Sequence, residues 1–148
     1  MSNSPAEVLR QRLLDQGVGV DPDVDSSSDF PIYVGQMPDF VGAKDLAIAV
    51  YDTAGRNDGR IQRTGETLIH PGLQVRVRHN TYQDGYAKAD EISQELDNTP
   101  AGTVVTVGGT DYVIDSLNRS SIIPLGPEPD KRSRHSFTVN LLATITRC

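Results

Sequence analysis

The stretch from Ile69 to Leu96, IHPGLQVRVRHNTYQDGYAKADEISQEL, constrains the fold more than any other. Leu73, Val75 and Val77 alternate with Gln74, Arg76 and Arg78, and a period of two puts the apolar set on one face of a strand. Pro71 and Gly72 read as the punctuation at its start, because proline cannot donate to a ladder and glycine permits a sharp entry. After His79 the period changes. Tyr86, Ala89, Ile92 and Leu96 recur at three and four residues, which stacks them on one helical face, while Lys88, Asp90, Glu91, Gln94 and Glu95 take the other. Asp84 reads as the N-cap, and Asn98 and Pro100 end the helix. A strand with one apolar face is followed at once by a helix whose stripe can cover it.

Earlier in the chain, Ser4-Pro5-Ala6-Glu7 is a capping box with proline at the first helical position. Ala6, Leu9 and Leu13 form the stripe of that first helix, with Val8 and Leu14 at its edges, and Gly17 suits a left-handed C-cap. Residues 21–29, DPDVDSSSD, are an acidic polar loop. Strand character returns at Phe30–Gln36 and at Leu46–Tyr51, where an almost unbroken apolar run fits a strand buried on both faces. Thr53–Gly65, TAGRNDGRIQRTG, reads as a long connection, longer than a hairpin turn and of the kind that carries function.

Past the second helix, Thr103–Val107 and Tyr112–Leu117 flank Gly108-Gly109 as a hairpin. Ser121–Leu125 suits a short strand, and GPEPDKRSR (126–134) a charged, proline-bearing loop. His135–Ile145 then alternates Phe137, Val139, Leu141, Ala143 and Ile145 with Ser136, Thr138, Asn140 and Thr144. The order α-β-β-β-α-β-β-β-β predicts an α+β fold: one domain over 1–148, with a mixed or antiparallel β-sheet and two α-helices packed on one face.

Composition limits the partners. The chain has 148 residues, 36% hydrophobic and 5% aromatic, without tryptophan. That apolar share is below the usual globular range, so part of the chain is solvated or burial is gained by self-association. A net charge of −6 opposes DNA binding through counterion release, which needs a basic surface. Cys148 is the only cysteine and cannot form an internal disulfide, which points to a reducing compartment. No apolar run approaches the roughly 18 residues of a membrane span, and MSNSPAEVLRQ lacks the pattern of a secretory signal.

The search for catalytic or ligand chemistry finds little. Asp21, Asp23 and Asp25 have the spacing of a calcium loop, but Ser26 and Ile32 stand where such a loop needs glycine and glutamate. With Asp29 they read as a solvated acidic loop or as an acidic wall with a purpose. Gly17-Val18-Gly19 meets Pro22 where a dinucleotide fingerprint wants its third glycine. His70, His79 and His135 have no ligand spacing and read as unconnected surface residues, and no serine has a G-x-S-x-G context. No cofactor and no metal is called for. The arginines stand out more: Arg56, Arg60 and Arg63 on the long connection, and Arg76 and Arg78 on the polar face of the next strand. Arginine is favoured at interfaces for its bidentate pairing. The three readings are a solvated face, a docking surface and a phosphate contact.

Tyr51-Asp52-Thr53-Ala54-Gly55-Arg56, taken with the strand ending R-V-R and the helix opening Y-x-x-A, resembles the tail terminator (minor capsid) proteins of long-tailed, non-contractile bacteriophages. The resemblance covers roughly Leu46 to Ile145. Ala54 stands where that family more often has glycine, which leaves Gly55 to supply any positive φ. The resemblance implies a structural virion protein at the head–tail junction of a siphophage, without catalysis, assembled in the host cytoplasm. It would form a homo-oligomer, a hexameric ring that caps the tail tube, ends tail polymerisation and offers a surface to head connector or neck proteins. DNA would pass through without specific binding. Arg56, Arg60, Arg63, Arg76 and Arg78 would then face a neighbouring subunit or the tail tube protein. Either Asp21, Asp23, Asp25 and Asp29 or Asp90, Glu91 and Glu95 would line the lumen, where carboxylates repel phosphate. The alternatives are a head-closure or neck protein of the same junction, and a small ligand-binding or enzymatic α+β domain.

Overall fold

In the computed structural model, which describes residues 3–21, 30–36, 46–60, 67–127 and 134–147, the capping box forms as its spacing demands. The Glu7 N–H donates to Ser4 Oγ at 3.2 Å and the Ser4 N–H to the Glu7 carboxylate at 2.7 Å. They open α1 (Pro5–Asp15), and Asp52 Oδ1 accepts a further first-turn N–H, from Ala6, at 2.9 Å. Three of the four orphan donors at a helix start are N1 to N3. Here proline removes one, and serine and aspartate satisfy the other two.

The strands are β1 (Ile32–Val34), β2 (Ala47–Arg60), β3 (Thr67–His79), β4 (Thr103–Val107), β5 (Thr110–Arg119), β6 (Ile123–Pro127) and β7 (His135–Arg147), with α2 (Tyr82–Asp97) between β3 and β4. They form one sheet in the order β1-β2-β3-β7-β5-β4, with β6 also on β7. Among the described strands only β1 and β2 run parallel, so the sheet is mixed. β5 and β6 lie end to end along β7, Arg119 opposite Leu141 and Ile123 opposite Thr138. Helix α1 packs against both β1 and β4, the two ends of the sheet. The sheet therefore curls around it.

One core holds the molecule together. Leu73, Val75 and Val77 meet Ile48 and Val50 on one side and Phe137, Val139 and Leu141 on the other, and all lie beneath Leu9, Leu13, Ala89, Ile92 and Leu96 of the helices. Each such aliphatic side chain contributes about 1.5–3 kcal/mol on full burial. The apolar run in β2 is buried on both faces, Ala47 and Ala49 as completely as Ile48 and Val50. Gly108 (φ 56°) and Gly109 (φ 81°) both take positive φ in the two-residue β4–β5 turn, as a type I′ turn requires.

Several expectations are corrected. Pro71 and Gly72 do not begin a strand. They lie inside β3, whose partner β2 runs through Thr53–Arg60 where the sequence suggested a connection. Register shifts at Thr53/Arg56 and Asn57/Arg60 break the alternation, which hid the strand. Gly55 is needed there, though not for positive φ: a Cβ on it would strike the His70 carbonyl, and one on Gly72 would strike Ala54 and Thr53. Helix α2 starts before Asp84, at Tyr82, with Thr81 as an N-cap that makes no side-chain cap bond. Asp84 instead sits in the first turn, where its charge suits the helix dipole. On the buried face, Gly85 takes the place expected for Tyr86 and lets the helix approach the Phe137 ring.

Candidate assembly surfaces

The sheet face away from the helices carries Gln74, Arg76 and Arg78 of β3 beside Ala49, Tyr51 and Ala47 of β2. Arg76 is half-buried there. Its guanidinium lies 5.4 Å from the Tyr51 ring centroid and donates to Gln74 Oε1 at 3.3 Å, while its buried Nε has no hydrogen-bond partner among the described residues. Arg78 is only 3% exposed, beside Ser136, which is also buried. It is an internal arginine of the folded subunit, and the sequence pattern that paired it with Arg76 as a surface cation missed this difference. Arg56 and Arg60 lie on the distal half of β2, and Arg63 lies outside the described residues.

The acidic candidates separate in the same way. Asp23, Asp25 and Asp29 lie outside the described residues, and Asp21 is 3.3 Å from the Arg10 guanidinium. On α2, Asp90 accepts from Gln94 at 2.8 Å and Glu91 pairs with Lys88 at 2.8 Å. Glu95 meets the Gln16 amide at 2.6 Å in the orientation that also lets Gln16 accept from Arg12. Lys88 is a joint: its ammonium donates to the Val18 carbonyl at 2.9 Å and sits 4.9 Å from the Phe30 ring centroid. At 100° per residue, Asp90 shares a side of α2 with Tyr82 and Tyr86, whereas Glu91 and Glu95 look nearly the opposite way. The sequence grouped these three acids as one face, and the helix divides them.

The histidines are less isolated than their spacing suggested. All three are half-buried. His70 Nδ1 lies 3.0 Å from Thr144 Oγ1, which also accepts from Ser116 at 3.0 Å. His79 accepts the Thr81 N–H at 3.0 Å, and His135 packs edge-on to Tyr82 at 5.6 Å. Among the described residues no group of three or more His, Cys, Asp or Glu could hold a metal ion, and no helix is long and apolar enough to cross a membrane.

A cleft of about 500 Å³ between α1 and β1 is lined by Glu7, Arg10, Asp21, Ile32, Tyr33 and Val34. Arg10 spends its donors on the wall, on Asp21 and on the Ile32 carbonyl at 2.9 Å. The guanidinium thereby covers part of the β1 edge, a common protection of end strands. Sequence reasoning did not find the other prominent surface. Tyr82 and Tyr86, 50% and 44% exposed, stand over Phe137 on the helix side, whereas Ile123 and Leu125 of β6, 40% and 49% exposed, take the other face of the sheet. The Tyr82–Tyr86 spacing of four was the available signal.

The notable surfaces of this curled α+β sheet are the arginine-bearing β2–β3 hairpin and the exposed tyrosines of α2. The chain belongs to the bacteriophage tail terminator protein family, whose model matches residues 12–147. It is thus a structural protein of a phage tail. No curated protein sequence matches it. One solved structure without a descriptive name aligns at a TM-score of 0.53 and 15% identity, over 94% of this chain and 91% of its own, which shows a shared fold. A chain from the virion of a native gene transfer agent particle aligns at a TM-score of 0.48 and 11% identity, over 79% and 78% of the two chains.

Proposed function

We propose that this protein closes the phage tail as a cyclic ring, six copies in the family's manner, which caps the tube, stops its growth and presents a surface to the head connector. The observation that carries this reading is the family match across nearly the whole chain. A ring needs a heterologous interface, two different surfaces of one subunit that meet and close after a fixed rotation. The distal β2–β3 hairpin supports it, because β1 pairs with Ile48, Ala49 and Val50, and among the described residues no strand lies beside the rest of β2 on that side. Arg56, Arg60, Arg63 and Arg76 are the contacts to a neighbouring subunit or to the tube protein; buried Arg78, opposite Ala47 at the other end of the ladder, belongs to the fold of the subunit.

Six copies at −6 each make a negative annulus through which DNA slides without adhering. Its wall is formed by Glu91 and Glu95 or by the Asp21–Asp29 segment. Electron microscopy of tails made without this protein is the test: overlong or headless tails are expected. Tails of normal length that join heads would overturn the reading. With the protein present, changing Glu91 and Glu95 to lysine together is expected to lower infectivity while capped tails still form; if infectivity holds, those two acids do not line the channel.

A further inference from the structure

Among the described residues, the six exposed large hydrophobic side chains divide between opposite sides of the sheet. Tyr82 and Tyr86 stand on the helix side, edge-on to Phe137 at 5.1 and 5.9 Å. Gly85 brings α2 so close to Phe137 that a Cβ would collide with the ring. The two tyrosines are therefore held in place yet half exposed. Rings of that kind lose little side-chain freedom on binding, the property of interface anchors. Leu142, Ile123, Leu125 and Val104 take the other face, by their register on β7, β6 and β4. Two different patches on opposite sides of one subunit suit a head-to-tail contact, in which each copy meets the next.

The sheet face away from the helices is shaped to receive the tyrosines. A shallow depression of about 490 Å³ opens beside Leu142, with Thr53, Asn118 and Asn140 at its rim. It lies over Gly72, which places no side chain in the row between Thr53 and Leu142. The next two residues of β3 on this face are Gln74 and Arg76. Arg76 donates to Gln74 at 3.3 Å, and Gln74 donates to Asn140 at 3.1 Å. Residues two apart on a strand are about 6.6 Å apart, and residues four apart on a helix rise about 6 Å. The rows Gly72–Gln74–Arg76 and Tyr82–Tyr86–Asp90 thus have nearly the same pitch. Their members also match in kind: a hollow for a ring, amides for a phenol, a cation for a carboxylate. We propose that α2 of one copy lies along β3 of the next, with Tyr82 in the hollow over Gly72, Tyr86 on Gln74 and Asn140, and Asp90 on Arg76. A subunit cannot make this contact with itself, because its own α2 packs on the opposite face of β3 and β7. The inference rests on the ring reading and names the two surfaces that close it.

The test uses the full chain with Cys148→Ser, Gln83→Cys and Asn118→Cys, two exposed positions beside the matched rows, assembled on tail tubes and treated with a short bismaleimide. A covalent ladder that ends at the ring size is expected, and only single chains from either one-cysteine control. Asp90→Arg is expected to weaken assembly about tenfold, and Arg76→Glu added to it to restore most of that loss. Circular dichroism identifies any variant that fails to fold, and the cross-link, made in a background that keeps Asp90 and Arg76, then decides. Folded variants that show no restoration, or capped tails with an intact ring but no ladder, overturn the docking and leave the ring standing. Absence of any ring on wild-type tails overturns both.

Discussion

The two halves of the β2–β3 ladder are built by different rules. From Ala47 to Asp52 every residue of β2 faces its partner on β3 without a break, Ile48 on Val77 and Val50 on Val75. β1 and β7 flank this half, and it is buried on the helix side and largely on the other. From Thr53 to Arg60 the register slips twice, Pro71 interrupts the ladder of donors, and glycine at 55 and 72 lets two backbones pass closer than side chains would allow. The first half is held by apolar area, which tolerates small errors of shape. The second is held by the backbone itself, which tolerates none but costs little core. On the proposed ring reading, the first half is the folded body and the second is the arm that meets another molecule.

Substitutions in the two halves should fail differently. Ile48→Ala removes a fully buried side chain from the regular half and is expected to cost about 2–5 kcal/mol of unfolding free energy, read as a lowered urea midpoint. Assembly should suffer only as far as the folded population does. Gly55→Val drives a Cβ into the His70 carbonyl, a backbone atom that cannot swing aside. Its expected cost to the fold is smaller, about 1–3 kcal/mol, yet capped tails counted by electron microscopy should fall about tenfold or more. If the valine variant unfolds as readily as the alanine variant, or caps tails normally, the two halves do not divide fold from assembly.

The same division explains what could be read in advance. The element order was legible, because Leu73, Val75, Val77 and the Phe137–Ile145 alternation report burial directly, and burial on one face has a period. Thr53–Gly65 was not, since a strand with two register slips and exposed residues such as Asp52, Thr53, Ala54 and Gly55 has no apolar period to show. Arg78 was misjudged for a related reason: alternation tells which face a residue takes, and nothing about whether that face is covered. Tyr86 went the other way. Its hydrophobicity suggested the core, while the contact that orders α2 is the missing side chain of Gly85.

The smallest expected effect lies outside both halves, where Arg119 of β5 grips Asp97 at the end of α2 with bonds of 2.9 and 2.7 Å. The hydrogen bond from Arg119 outweighs the modest desolvation and holds the Asp97 carboxyl below its usual value. A carboxylate with a depressed folded-state pKa stabilises the fold above its unfolded value, near 3.9, and that stability disappears as pH falls through the lower folded value. Both side chains are largely in water, where such pairs contribute little. Arg119→Ala should therefore leave the urea midpoint at neutral pH almost unchanged, while the Asp97 titration followed by NMR moves upward toward the ordinary aspartate range. A large loss of stability at neutral pH would mean that the end of α2 depends on this clasp, and that the core beneath it is weaker than the burial of Leu96 and Ile92 implies.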